Sequence, residues 1–171
     1  MGCGTVTERF RVAAGRIRQE LVDAETVVQR VERAMAAASR NTPDGDLLLD
    51  SVALGMHDFY AGLERVFEHL ASSIDKSLPS GSDWHRELLR QMALDVPGLR
   101  PPVLASPTLH AVDEYLRFRH VVRNVYAFTL DPDRLADLVR RLRPAFEQTK
   151  ADLLAFAQFL EQVSTELDPP A

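Results

Sequence analysis

An all-α fold, an up-and-down bundle of four main helices plus one short one, is predicted by three features of the chain. Apolar residues recur at alternating spacings of four and three over long runs, no stretch alternates with period two, and segments rich in Pro, Gly and Ser separate the runs. With 171 residues and 46% hydrophobic content the chain can bury one proper core, so residues 1–171 are expected to form one domain with its core over about 7–167.

The first helix is read over Thr7 to Ser39, where Phe10, Ala14, Ile17, Leu21, Ala24, Val28, Val31 and Met35 form a lengthwise seam. Asn41-Thr-Pro-Asp-Gly45 ends it, because Pro43 cannot continue a helix interior and Gly45 tolerates positive φ. A second helix follows from about Asp46 to Ile74. Its seam is Val52, Met56, Phe59, Leu63, Val66 and Leu70, which leaves His57, Asp58, Tyr60, Glu64, Arg65 and Glu68 on other faces. Lys76 to Asp83 reads as a loop whose Ser82 or Asp83 caps a short helix from Trp84 to about Leu94, with Trp84 as its anchor to the core. Five Pro and Gly residues between Asp95 and Pro107, with few polar residues, predict an ordered, wrapped connection. The fourth helix starts near Ser106 or Pro107 and ends around Phe128. Asp131 as N-cap and Pro132 at the first helical position open the last helix, striped by Leu135, Val139, Leu142, Phe146, Leu153, Phe156, Leu160, Val163 and Leu167, with a kink expected at Pro144.

Charge and cysteine usage narrow the function classes. A net charge of −5 argues against a generally basic, nucleic-acid-coating surface, so any RNA contact must come from a local cluster. Only Lys76 and Lys150 among the 20 basic residues are lysines, which favours planar, bidentate recognition but is also the mark of an arginine-rich genome. The single cysteine, Cys3, permits no intrachain disulfide or thiolate cluster, and the five histidines are scattered, so neither a metal nor a cofactor is expected. No apolar run approaches a membrane span and the first residues lack a basic leader, which leaves the cytoplasm as the expected location, away from membranes.

The densest polar stretch is Arg117-Phe-Arg-His-Val-Val-Arg-Asn-Val-Tyr126. At about 100° per residue, Tyr115, Phe118, Val121, Val122, Val125 and Phe128 share one arc, and Tyr126, Arg119, Arg123, His120 and Asn124 follow one another round the other. Arg119 and Arg123 are like charges at i,i+4, which asks for neighbouring carboxylates or a bound anion. A solvated face with Asp113 and Glu114 as counter-charges meets that need in the simplest way. Asp58 and Glu64 of the second helix are further partners for these arginines if the two helices are neighbours.

Phe118-Arg-His-Val-Val-Arg-Asn-Val-Tyr126 followed by Leu130-Asp131 resembles the signature of the HEPN superfamily, and most closely that of the HepT-like ribonuclease toxins. His57-Asp-Phe-Tyr-Ala-Gly-Leu-Glu64 and Leu78-Pro-Ser-Gly-Ser-Asp-Trp-His85 resemble further stretches of that family, so the likeness runs from about Thr7 to Leu167. The family pattern is an arginine and a polar residue, then a histidine four to six positions on, then a tyrosine two positions later. Arg119, His120 and Tyr126 match it, while Asn124 stands where the histidine would be.

The resemblance implies a HEPN-like bundle that cleaves RNA without metal, the ribose 2′-hydroxyl attacking the adjacent phosphate. It also implies a homodimer whose cleft joins two motif helices, and a small nucleotidyltransferase antitoxin (MNT-like) that transfers AMP to the motif tyrosine, here Tyr126. Arg119, helped by Arg123, would meet the charge building on the phosphate. An amide does not titrate near neutral pH, so Asn124 only orients or hydrogen-bonds, whereas His120, about 40° from it round the helix, has an ordinary pKa near 6.5 and serves as general acid or base or as a support. For Tyr126 the plain alternative is a half-buried ring bonded to a neighbouring helix. Two other function classes stay open, a non-catalytic HEPN module that binds RNA or a nucleotide, and a helical interaction protein.

Overall fold

The computed structural model describes residues 5–40, 43–124 and 131–168, without the side chains of 123 and 124. Five α-helices follow in order: α1 (Val6–Ala38), α2 (Gly45–Leu70), α3 (Trp84–Met92), α4 (Ser106–Asn124) and α5 (Pro132–Leu167). No strand occurs among the described residues, so the predicted all-α bundle stands.

Local chemistry sets most of the ends. Thr5 and Glu8 form a reciprocal capping box at the start of α1, with Thr5 Oγ1 accepting from the Glu8 amide at 3.2 Å and Glu8 Oε2 accepting from the Thr5 amide at 2.7 Å. Asp131 accepts from the Asp133 amide and Pro132 occupies the first turn of α5, as read from the sequence. Asp83 precedes α3 but makes no side-chain cap bond, which corrects the expectation that it or Ser82 caps that helix. The second helix also ends earlier than Ile74 in regular form. After Leu70 the chain widens into a π-helical turn, Ala71–Asp75, closed by Lys76 at φ 55°. The predicted extension of α4 to Phe128 falls partly outside the described residues.

Ion pairs give the directions of the long helices. Glu20 pairs with Arg65 and Arg30 with Asp58, so α1 and α2 are antiparallel; Arg18 pairs with Glu161 and Arg143 with Glu25 and Glu32, so α5 returns antiparallel along α1. Phe59 meets Tyr115 edge-on and Glu64 meets Arg119, which seats α4 against α2.

The apolar seams meet in one core. Phe59 of α2 contacts Tyr115 of α4 and Phe146 of α5 edge-on, at 5.4 and 6.4 Å between ring centres, and the Tyr115 hydroxyl donates to the Leu138 carbonyl at 2.9 Å. The wrapped connection before α4 is ordered by one side chain. The guanidinium of Arg100 is fully buried and spends its donors on both Asp75 oxygens, at 2.6 and 2.7 Å, and on the carbonyls of Gln91, Leu94 and Pro101. Val103 and Leu104 then bury and hang by their amides from the Met92 carbonyl.

Candidate functional site

The junction of α2, α3 and α4 buries a polar cluster inside an otherwise apolar core. Tyr60 and Glu64 lie one helical turn apart on α2, and both are buried, which corrects their assignment to an outer face. The period of the α2 seam does place them beside Phe59, Leu63 and Phe67. A stripe this wide needs helices on two sides, and α3 and α4 provide the second.

Arg119 reaches into this cluster from α4. Its Nη1 lies 2.9 Å from Glu64 Oε1 and donates to Oε2 at 3.0 Å, and the guanidinium carbon stands 5.9 Å from the centre of the Tyr60 ring. Arg119 is thus turned inward, with 11% of its side chain exposed, and is not one of a row on an outer arc. The ion pair uses Nη1 alone: Nε is buried with no hydrogen-bond partner among the described residues.

His85, at the start of α3, completes the cluster. Its Nδ1 is 2.6 Å from Glu64 Oε2 and 3.1 Å from Arg119 Nη1. Both neighbours cannot be satisfied by one ring nitrogen, since a carboxylate only accepts and a guanidinium only donates. The shorter distance decides it: Nδ1–H donates to Glu64, and Arg119 is a close neighbour. Trp84 packs over the ring at 3.6 Å between centres, and His120 of α4 meets it edge-on at 5.7 Å. Burial first, and then the charge of Glu64, hold the Tyr60 phenol well above its ordinary range, so it stays protonated.

The structure brings together Glu64, Arg119 and, through His85, the exposed His120. It does not bring Asp58 to them. Asp58 pairs with Arg30 of α1 at 3.2 Å and lies 3.6 Å from the His57 ring, because its position on α2 faces α1. Of the proposed counter-charges, Asp113 pairs with Arg117 and Glu114 with Arg141 of α5, so neither neutralises Arg119. Arg123 and Asn124 belong to the last turn of α4, and their side chains, like all of Tyr126, lie outside the described residues. The residue that sequence reasoning missed is His85, whose stretch was noted only as a family likeness. Among the described residues no three His, Cys, Asp or Glu side chains converge as metal ligands, and no helix is long and apolar enough to cross a membrane.

A five-helix bundle with a short crossing helix and an inward arginine near the end of its fourth helix defines the chain as a HEPN-like helical protein. Residues 51–160 match the family model of HepT-like proteins, and the chain belongs to that family. The matched segment holds Glu64, His85, Arg119, His120 and Asn124. No curated protein and no solved structure matches the chain.

Proposed function

We propose that the chain is a HepT-like toxin, a metal-independent endoribonuclease that acts on RNA in the cytoplasm as a homodimer and is controlled by a small nucleotidyltransferase antitoxin. The observation that carries this reading is the grip of Glu64 on Arg119, which fixes the guanidinium at the junction beside the exposed His120. A guanidinium aimed by a buried carboxylate is suited to the charge that grows on a phosphate.

In the proposed reaction the 2′-oxygen forms a bond to phosphorus, the bond from phosphorus to the 5′-oxygen breaks, and a 2′,3′-cyclic phosphate and a 5′-hydroxyl result. One proton leaves the 2′-hydroxyl and one reaches the 5′-oxygen. His120, exposed on α4, is the group that exchanges them. His85 acts through it, as a positioning residue whose ring packs on His120 and is itself oriented by Glu64. Asn124 is left to orient the phosphate or ribose, and Tyr126 to receive AMP from the antitoxin.

Incubation of the pure protein with total RNA in EDTA tests the reading. Cleavage that survives the chelator, disappears in Arg119→Ala and falls about 10²–10⁴-fold in His120→Ala is expected. Asn124→Ala should cost less than His120→Ala, and Asn124→His should raise the rate. A folded wild-type protein that leaves RNA intact, with Asn124→His equally inert, would replace this reading with the second one, a HEPN module that binds RNA or a nucleotide without cutting. That second reading has its own support in the same ion pair, since Glu64 already neutralises Arg119.

A further inference from the structure

We propose that the groove between α3 and α4 is a binding track for the phosphodiester backbone of single-stranded RNA, with Arg86, Arg90 and Arg117 as its phosphate contacts; this rests on the reading of the chain as an RNA-acting protein. The groove encloses a cavity of about 540 Å³ lined by these three arginines together with His110, Asp113 and the apolar Leu89. Its charge is the opposite of the molecule's. Three guanidiniums face one carboxylate there, in a chain whose net charge is −5.

Asp113 is engaged by Arg117 one turn along α4. Arg86 and Arg90 are exposed on α3 at i,i+4, and neither has a carboxylate partner among the described residues. Two like charges so placed destabilise a helix by about 0.2–0.5 kcal/mol, a cost that a bound polyanion reverses. At a rise of about 1.5 Å per residue they present two cations about 6 Å apart along the groove. This suits a polymer with repeated charges better than one isolated phosphate.

The direction of the groove ties it to the site. α3 and α4 run antiparallel, Arg86 and Arg90 facing Asp113 and Arg117, and one helical step beyond Arg86 the same two helices bring His85 against His120. A strand laid along the arginines therefore runs toward the imidazoles. The contacts are to phosphate and carry no base reading, so the track accepts any unpaired sequence.

Fluorescence anisotropy with a labelled 12-nucleotide 2′-O-methyl-oligouridine tests the proposal, because this probe lacks the 2′-hydroxyl and cannot be cut by the proposed reaction. For single strands the logarithm of the binding constant falls with the logarithm of salt with a slope of about −0.7 per phosphate neutralised. Arg86→Gln/Arg90→Gln should flatten the slope by about 1.4 and Arg117→Gln by about 0.7, whereas Arg33→Gln on α1 should leave it unchanged. Circular dichroism checks that these surface variants stay folded. Slopes equal to wild type in the groove variants, or no binding by wild type, overturn the track. Cleavage of ordinary RNA by wild type alongside equal slopes would sink the track and leave the nuclease reading in place. Binding that needs the arginines without any cleavage would keep the track and end the nuclease reading.

Discussion

Glu64 concentrates the energetics of the site in one side chain. It is 4% exposed, pairs with Arg119 and accepts from His85, so its removal leaves a guanidinium buried without an anion. Breaking one side of a buried pair costs about 3–5 kcal/mol, while replacing both partners by apolar groups is often neutral. Glu64→Ala should therefore lower the unfolding free energy by about 3 kcal/mol or more in urea titration, and Glu64→Leu/Arg119→Met should recover most of it. A double variant as unstable as the single one would show that the pair is not the origin of the loss. The same reasoning explains why this acid was hard to place from the chain alone: a glutamate between Leu63 and Arg65 has the sequence context of a wet surface, and only its distant partners make its burial tolerable.

At the scale of elements, α1 and α2 pack tightly at Gly55. A Cβ added there would stand 2.3 Å from Val31 Cγ2, and Val31 is itself fully buried. Helix propensity alone favours Ala over Gly by about 1 kcal/mol, and overpacking a closed seam costs about 1–3 kcal/mol. The clash should win, so Gly55→Ala is expected to lower Tm; an unchanged or raised Tm would mean that the two helices part without cost.

The α1–α5 contact is electrostatic as well as apolar. Arg143 donates to Glu25 and to Glu32 at 2.5–3.0 Å, and its hydrogen bond first of all holds the Glu25 carboxyl below the ordinary value of 4.5. A depressed carboxyl contributes stability that is complete above its unfolded pKa and is lost as pH falls through its folded one. Melting curves between pH 6 and 3 should show the advantage of wild type over Arg143→Gln as steady above about pH 4.5 and shrinking below it. Parallel curves across the range would remove Glu25 from the acid response.

For the whole molecule, the proposed cleft requires a second copy. One chain places Glu64, His85 and Arg119 at a single junction with His120 exposed at its edge, and in the proposed dimer this junction is one half of the cleft. Light scattering across the micromolar range should report twice the mass of the 19.1 kDa chain. A monomer mass at every concentration would contradict the dimer, and the cleft reading would fall with it.

The chain by itself determined its helices. The seams of α1 and α2 and most of the stripe of α5 became core because apolar side chains repeating near 3.6 residues have one face to bury, whichever neighbour covers it. The α5 start at Asp131 and Pro132 was legible for a similar reason, since capping is decided within three residues. Asp58 and Glu64 show what was not legible. Both are acids on the polar side of the predicted α2 pattern, yet one faces Arg30 of α1 and the other Arg119 of α4. Helical periodicity sets the angle of a side chain about its own axis and says nothing about which helix lies there. His85 and Glu64 are 21 residues apart and Glu64 and Arg119 are 55 apart, so no local pattern links them. Only the packing of α2, α3 and α4 decided that these three would share one desolvated junction, where each charge is stable because the others are there.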